Sequence, residues 1–135
     1  MGPGYFVVYR DLGRSYELKS MCPEAVQAFE RSLTPTKDSA LLADIGHCNA
    51  LAGKRAEARA LQDRLVKEQE SRYISPAVMA WIPLALGETH VALRWLEKGV
   101  EDRAYLLAFA ANDPRYDSIR SHPRFISILR NLELR

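Results

Sequence analysis

The side chains with chemical potential in this chain are three histidines, two cysteines and a spread of carboxylates. Their spacing argues for recognition rather than catalysis. His47, His90 and His122 fall on separate expected helices or turns, with no metal-ligand spacing among them or to Cys22 and Cys48. Cys48 directly follows His47, and neighbours on a helix point about 100° apart, so the two do not make a nucleophile–base pair. Glu24 with Glu30, and Glu97 with Glu101, read as solvated helix surface. No glycine-rich phosphate loop and no Gly-x-Ser-x-Gly elbow occurs. The expectation is a non-catalytic protein with no cofactor and no metal.

Recognition needs a surface, and the elements that would build it are helical. From Ser39 to Arg72, Leu41, Leu42, Ile45, Cys48 and Leu51 recur at steps of three or four, one face of a helix. Gly53 ends that helix, because glycine takes a left-handed backbone at little steric cost. A second periodic run, Ala58, Leu61, Leu65 and Val66, follows it. Gly46, Ala50 and Ala58 are small and let the two helices approach closely. The stretch reads as a helical hairpin.

The hairpin repeats. Gly53 recurs as Gly87, Gly13 as Gly46, and Ala25 as Ala58 and Ala92, all in one shared period. That period, about 34 residues, is the length of one helical-hairpin unit in a repeat array. One hairpin of this size cannot bury its apolar face alone, so stacked copies must share a core. The first copy places Phe6, Tyr9, Leu12, Gly13 and Tyr16 inward on a helix from about Tyr5 to Lys19. Its partner opens at Pro23, buries Ala25, Val26, Phe29 and Leu33, and closes at Pro35. Helices over about Asp38–Ala52 and Arg55–Glu70 follow. Ser75-Pro76, a capping hydroxyl before a first-turn proline, starts a fifth helix reaching Leu86. Pro83 lies deep inside it and should remove one hydrogen bond and kink it near Met79. The sixth helix, about Thr89–Asp102, packs Ala92, Leu93, Trp95, Leu96 and Val100.

After Arg103 the rhythm fails. Tyr105, Leu106, Leu107 and Phe109 suggest a short apolar helix, and a last helix from Pro123 to about Leu132 buries Phe125, Ile128, Leu129 and Leu132. Its other face carries Arg124, Arg130 and Asn131, the composition of a terminal element with one polar side.

The period and residue types resemble the tetratricopeptide repeat, whose pattern is W-x-x-L-G-x-x-Y, then A-x-x-x-F, then P. The first copy offers Tyr9-x-x-Leu12-Gly13-x-x-Tyr16 and Ala25-x-x-x-Phe29. The second offers Leu42-x-x-Ile45-Gly46-x-x-Asn49 and Ala58-x-x-x-Gln62, and the third, Pro76-x-x-Met79-Ala80-x-x-Pro83 and Ala92-x-x-x-Leu96, is degenerate. The run from Ile74 to Leu134 also looks like the C-terminal end of bacterial tetratricopeptide arrays that follow a winged-helix or Ser/Thr kinase domain. Its His122 stands where an aspartate cap is common. The resemblance implies an all-α superhelix of antiparallel helix pairs, with repeats at about 6–38, 39–72 and 73–103 and a cap at about 104–135, all in one domain.

In such an array the first helix of each pair lines a groove. That register nominates Arg10, Arg14 and Glu17, then Ala43, His47 and Ala50, then Ala77, Trp81 and Leu84. An extended peptide or helix with an acidic end and an apolar anchor suits this surface, with Trp81 at its centre. The clamp that holds the terminal carboxylate of chaperone peptides is not expected, because Asp44, Ile74 and Val78 replace its polar groups. The leading expectation is a protein-interaction scaffold for a protein or peptide partner. The alternative is the structural or regulatory end of a longer array, packed on an upstream domain or paired as a homodimer through an apolar N-terminal edge.

Bulk numbers agree with these classes. In 135 residues the apolar content is 47% and the formal net charge +2, too little for a dedicated nucleic-acid binder. Two cysteines make no disulfide framework, so free thiols and a cytoplasmic, reducing location are expected. No apolar run approaches a membrane span of about 20 residues, and Met-Gly-Pro-Gly does not open a signal peptide.

Overall fold

The computed structural model describes residues 4–33, 38–101 and 112–133, and every regular element among them is helical. The expectations for Pro35 and for the apolar run Tyr105, Leu106, Leu107 and Phe109 lie outside these residues, as do the side chains of Phe6 and Leu33. In order, the elements are α1 (Gly4–Leu18), α2 (Cys22–Leu33), α3 (Ser39–Leu51), α4 (Arg55–Glu68), α5 (Pro76–Leu86), α6 (Thr89–Glu101), a 3₁₀ helix (Pro114–Ile119) and α7 (Pro123–Glu133).

The hairpin turns follow from two glycines in one conformation. Gly53 has φ 84° and Gly87 φ 78°, where a Cβ would be strained. After Gly53, the Lys54 N–H donates to the Asn49 carbonyl at 2.8 Å; after Gly87, the Glu88 N–H donates to the Pro83 carbonyl at 2.9 Å. Each turn thus satisfies the last carbonyls of its helix by the same crossed pair of bonds.

Helices α3 and α5 form the centre. Residues Leu41 to Cys48 and Pro76 to Leu84 are buried without a break, which explains why both lack a polar stripe. The two helices pack on each other, with α2 and α4 against α3, and α6 and the 3₁₀ helix against α5. Two close approaches fix the spacing. A Cβ on Gly13 would lie 2.6 Å from the Phe29 ring, and one on Gly46 would lie 2.2 Å from Ile82 Cδ1. The two glycines that mark the repeat in α1 and α3 are therefore contact points where a partner helix sits against bare backbone.

Pro83 leaves the Met79 carbonyl without its usual i+4 donor. The buried amide of Gln62 on α4 supplies one, donating to that carbonyl at 3.2 Å. The carbonyl that the proline leaves open is met by a side chain from the neighbouring hairpin.

Several local expectations change. Leu12 (40% exposed), Leu51 (57%) and Val66 (39%) lie outside the core, because α1, α3 and α4 each turn part of the apolar face away from a covering helix. Ser75 makes no capping hydrogen bond, and Pro76 alone marks the start of α5. His122 does cap α7: its Nδ1 accepts from the Arg124 N–H at 3.1 Å. Glu97, expected to be solvated, pairs with Arg124 at 2.6 Å. No described helix is long and apolar enough to cross a membrane.

Two outcomes follow from the packing. Gly46→Ala should lower stability by about 1–3 kcal/mol, as overpacking against a buried isoleucine does, measured by urea unfolding. Gln62→Leu should cost about 1–3 kcal/mol by orphaning the Met79 carbonyl. Adding Pro83→Ala, which restores the backbone donor, should recover part of that loss in a double-mutant cycle.

Candidate functional site

The C-terminal half of α1 and the middle of α3 turn polar side chains toward one another beside Trp81 of α5, and the 3₁₀ helix closes over them. Local sequence fixes that closure. Asp113 Oδ1 caps the Arg115 N–H at 2.9 Å, Pro114 occupies the first turn, and Arg120 Nη2 donates to the Asp113 carbonyl at 2.9 Å. Tyr116 then points into the core, stacked on Phe125 with centroids 5.7 Å apart, and its hydroxyl accepts from Trp81 Nε1 at 3.0 Å. With Tyr116 anchored, Arg115 has one way to go.

Its guanidinium lies over the Trp81 ring, 3.8 Å from the centroid, inside a ring of three carboxylates. Glu17 Oε1 is 3.3 Å away, Asp44 Oδ1 3.0 Å and Asp113 Oδ2 2.9 Å. Burial alone would make the charged guanidinium harder to keep, but the three acids outweigh it and push the group further toward its charged form. Asp44 has no exposed surface and also meets Arg14 Nε at 3.8 Å. Its contacts are ion pairs without aligned hydrogen bonds, and burial pushes its carboxyl up to about 7 despite Arg115.

Glu17 faces two ways. Oε1 meets Arg115, whereas Oε2 accepts from the Cys48 thiol at 3.4 Å and lies 4.0 Å from His47 Nδ1. Burial raises the Glu17 carboxyl above the usual range. Burial, with Arg115 nearby, lowers His47 to about 4, so its imidazole is neutral at pH 7. Burial and the Glu17 charge push the Cys48 thiol up, leaving it protonated and unreactive as a nucleophile.

Beside this cluster opens a cavity of about 730 Å³, bounded by Arg14, Glu17, Leu18, His47, Leu51, Leu84 and Ala85 and, around the 3₁₀ helix, by Asp113, Pro114, Arg115, Asp117 and Ser118. Of the nine nominated groove residues, Arg14, Glu17, His47 and Leu84 reach it. Arg10 pairs with Asp11 at 3.7 Å instead. Ala43, Ala50 and Ala77 are core contacts between helices. Trp81 is 5% exposed and forms the floor beneath Arg115, so it is a support for a cation and not an accessible anchor. The nomination missed Arg115, Asp44 and Asp113. An acid at position 44 among Leu41, Leu42 and Ile45 was a signal that a buried cation must arrive from elsewhere.

Comparison with known proteins returned nothing: no protein-family model, no curated protein and no solved structure matches the chain. The tetratricopeptide likeness therefore rests on the residues quoted above.

Removing one side of the buried pair leaves the other uncompensated. Arg115→Met should cost about 3–5 kcal/mol at pH 8, measured by chemical unfolding, and less at pH 5, where Asp44 takes up a proton. Asp44 also sets a sign by itself, facing Arg14 and Glu17 of α1 and Asp113, Arg115 and Tyr116 of the 3₁₀ segment. A carboxyl raised from 3.8 to about 7 on folding contributes stability that is complete below pH 4 and lost as pH rises through 7. The stability of wild type relative to Asp44→Asn should fall between pH 4 and 7 in melting curves at fixed ionic strength.

Proposed function

We propose that the chain is a tetratricopeptide-like scaffold that binds a protein or peptide segment in the cavity between α1, α3, α5 and the 3₁₀ helix. The observation that carries this reading is the open cavity beside the 3₁₀ segment, walled by apolar and charged side chains of three helices and of that segment. Asp113 to Ser118 lies across the first helices of successive hairpins and inserts a side chain between them. The volume of about 730 Å³ left beside it falls within the usual range for ligand sites. Apolar Leu18, Leu51 and Leu84 on its wall, with Arg14, Glu17 and Asp117 at fixed places, give an apolar anchor site with a charged rim. The paired turns at Gly53 and Gly87, one repeat apart and alike in backbone, support the repeat architecture.

Selection of a displayed peptide library on the protein, followed by calorimetry, tests the reading. Leu18→Arg and Leu51→Arg alter the cavity wall at positions 69% and 57% exposed, away from the buried ion pairs. Each should weaken selected peptides at least about tenfold, a loss of about 1.4 kcal/mol. Peptides indifferent to both substitutions would place recognition elsewhere.

A second reading has its own observation. Val7, Val8 and Leu12 on α1 are 47%, 60% and 40% exposed, an apolar strip with no cover among the described residues. Pairing of two copies through α1 would bury it. Sedimentation should then show a concentration-dependent dimer that Val8→Glu abolishes, and a monomer at all concentrations removes this reading.

A further inference from the structure

Cys48 and His47 sit side by side on α3, and Glu17 reaches them from the end of α1. One atom from each (Sγ, a ring nitrogen and a carboxylate oxygen) lies within 4.8 Å of both others. We infer that Glu17, His47 and Cys48 form a binding site for a soft divalent cation of the zinc class, with a fourth position open toward the cavity.

Geometry carries the assignment. Around a tetrahedral zinc the usual bond lengths put sulfur, nitrogen and oxygen ligands about 3.4–3.6 Å apart. Cys48 Sγ and Glu17 Oε2 are 3.4 Å apart already, and His47 Nδ1 to the same oxygen is 4.0 Å. The ring nitrogen and Sγ lie within 4.8 Å, so rotation of the His47 side chain toward Sγ and Oε2 by about an ångström or less completes the set.

An independent observation points to a ligand. His47 is 5% exposed, and its Nδ1 has no hydrogen-bond partner. Buried ring nitrogens are ordinarily satisfied, and this one faces a carboxylate at a separation too long for a bond. A cation between them would occupy both.

The surroundings suit the charge. Arg115 and Arg14 face Glu17, Asp44 and Asp113, an excess of one negative charge when all are ionised. Binding would convert the Cys48 thiol to thiolate with release of its proton to solvent, and the dipositive ion would then bring the cluster to neutrality. Arg115 holds the far oxygen of Glu17, leaving Oε2 as the ligand, in the manner of an outer-shell partner that orients a ligating carboxylate. Mixed sulfur, nitrogen and oxygen donors select zinc or cobalt over magnesium and calcium. Because Glu17 and His47 line the cavity, the fourth position is reachable by water or by a donor from a bound segment.

The test uses the full chain, reduced and freed of metal by chelator. Titration with Co²⁺ should give a sulfur-to-metal charge-transfer band in the near ultraviolet, saturating at one equivalent. Zn²⁺ should bleach that band and, in competition with a chromophoric chelator, bind one per chain. Cys48→Ser and His47→Gln, checked for fold by circular dichroism, should each weaken Zn²⁺ more than about 100-fold, beyond the loss typical of outer-shell changes. Absence of the cobalt band in the wild-type chain overturns the inference whether or not the variants fold. So does a folded Cys48→Ser protein that binds Zn²⁺ as tightly as wild type.

Discussion

The pair between Asp44 and Arg115 is the constraint around which the polar interior is arranged. Asp44 lies on α3, one of the two central helices, among apolar residues, and an isolated carboxylate there would be costly by several kcal/mol. Arg115 arrives from the 3₁₀ helix, beyond the last hairpin, so the C-terminal region must dock before the centre of α3 is electrostatically complete. Everything at the 3₁₀ helix serves that arrival: the Asp113 cap, the Tyr116 anchor, the Trp81 floor and the Arg120 bond to the Asp113 carbonyl.

That pair also links the two features with functional reach. Glu17 shares Arg115 with Asp44 through one oxygen and faces His47 and Cys48 with the other. A change at the cluster alters the orientation of Glu17, and with it the wall of the adjoining cavity. The peptide-binding reading and the metal inference thus concern adjacent surfaces joined by one side chain, yet each rests on its own geometry. The first needs the cavity; the second needs only three ligands, one of them an unpartnered ring nitrogen.

Elsewhere the helices are joined by ordinary means. Glycine turns, bare-backbone contacts at Gly13 and Gly46, and amphipathic α2, α4 and α6 over buried α3 and α5 account for the packing. The irregularity at Pro83 within α5 is made tolerable by Gln62. There the neighbouring hairpin supplies the partner for a carbonyl that its own helix cannot satisfy.

The chain by itself determined the helices and their ends. Apolar spacing of three and four, Gly53 and Gly87 at the turns, and Pro23, Pro76 and Pro123 at the starts placed the described α-helices to within about two residues, because these signals act locally through backbone geometry. Tertiary structure alone decided which side chains meet. That Trp81 lies under Arg115 instead of facing solvent, that Ala43 and Ala77 are core, that Gln62 answers Pro83 and that Glu17 joins His47 and Cys48 all depend on contacts between helices far apart in the chain. Local periodicity says which face of a helix is buried, but not which distant charge will be there to meet it.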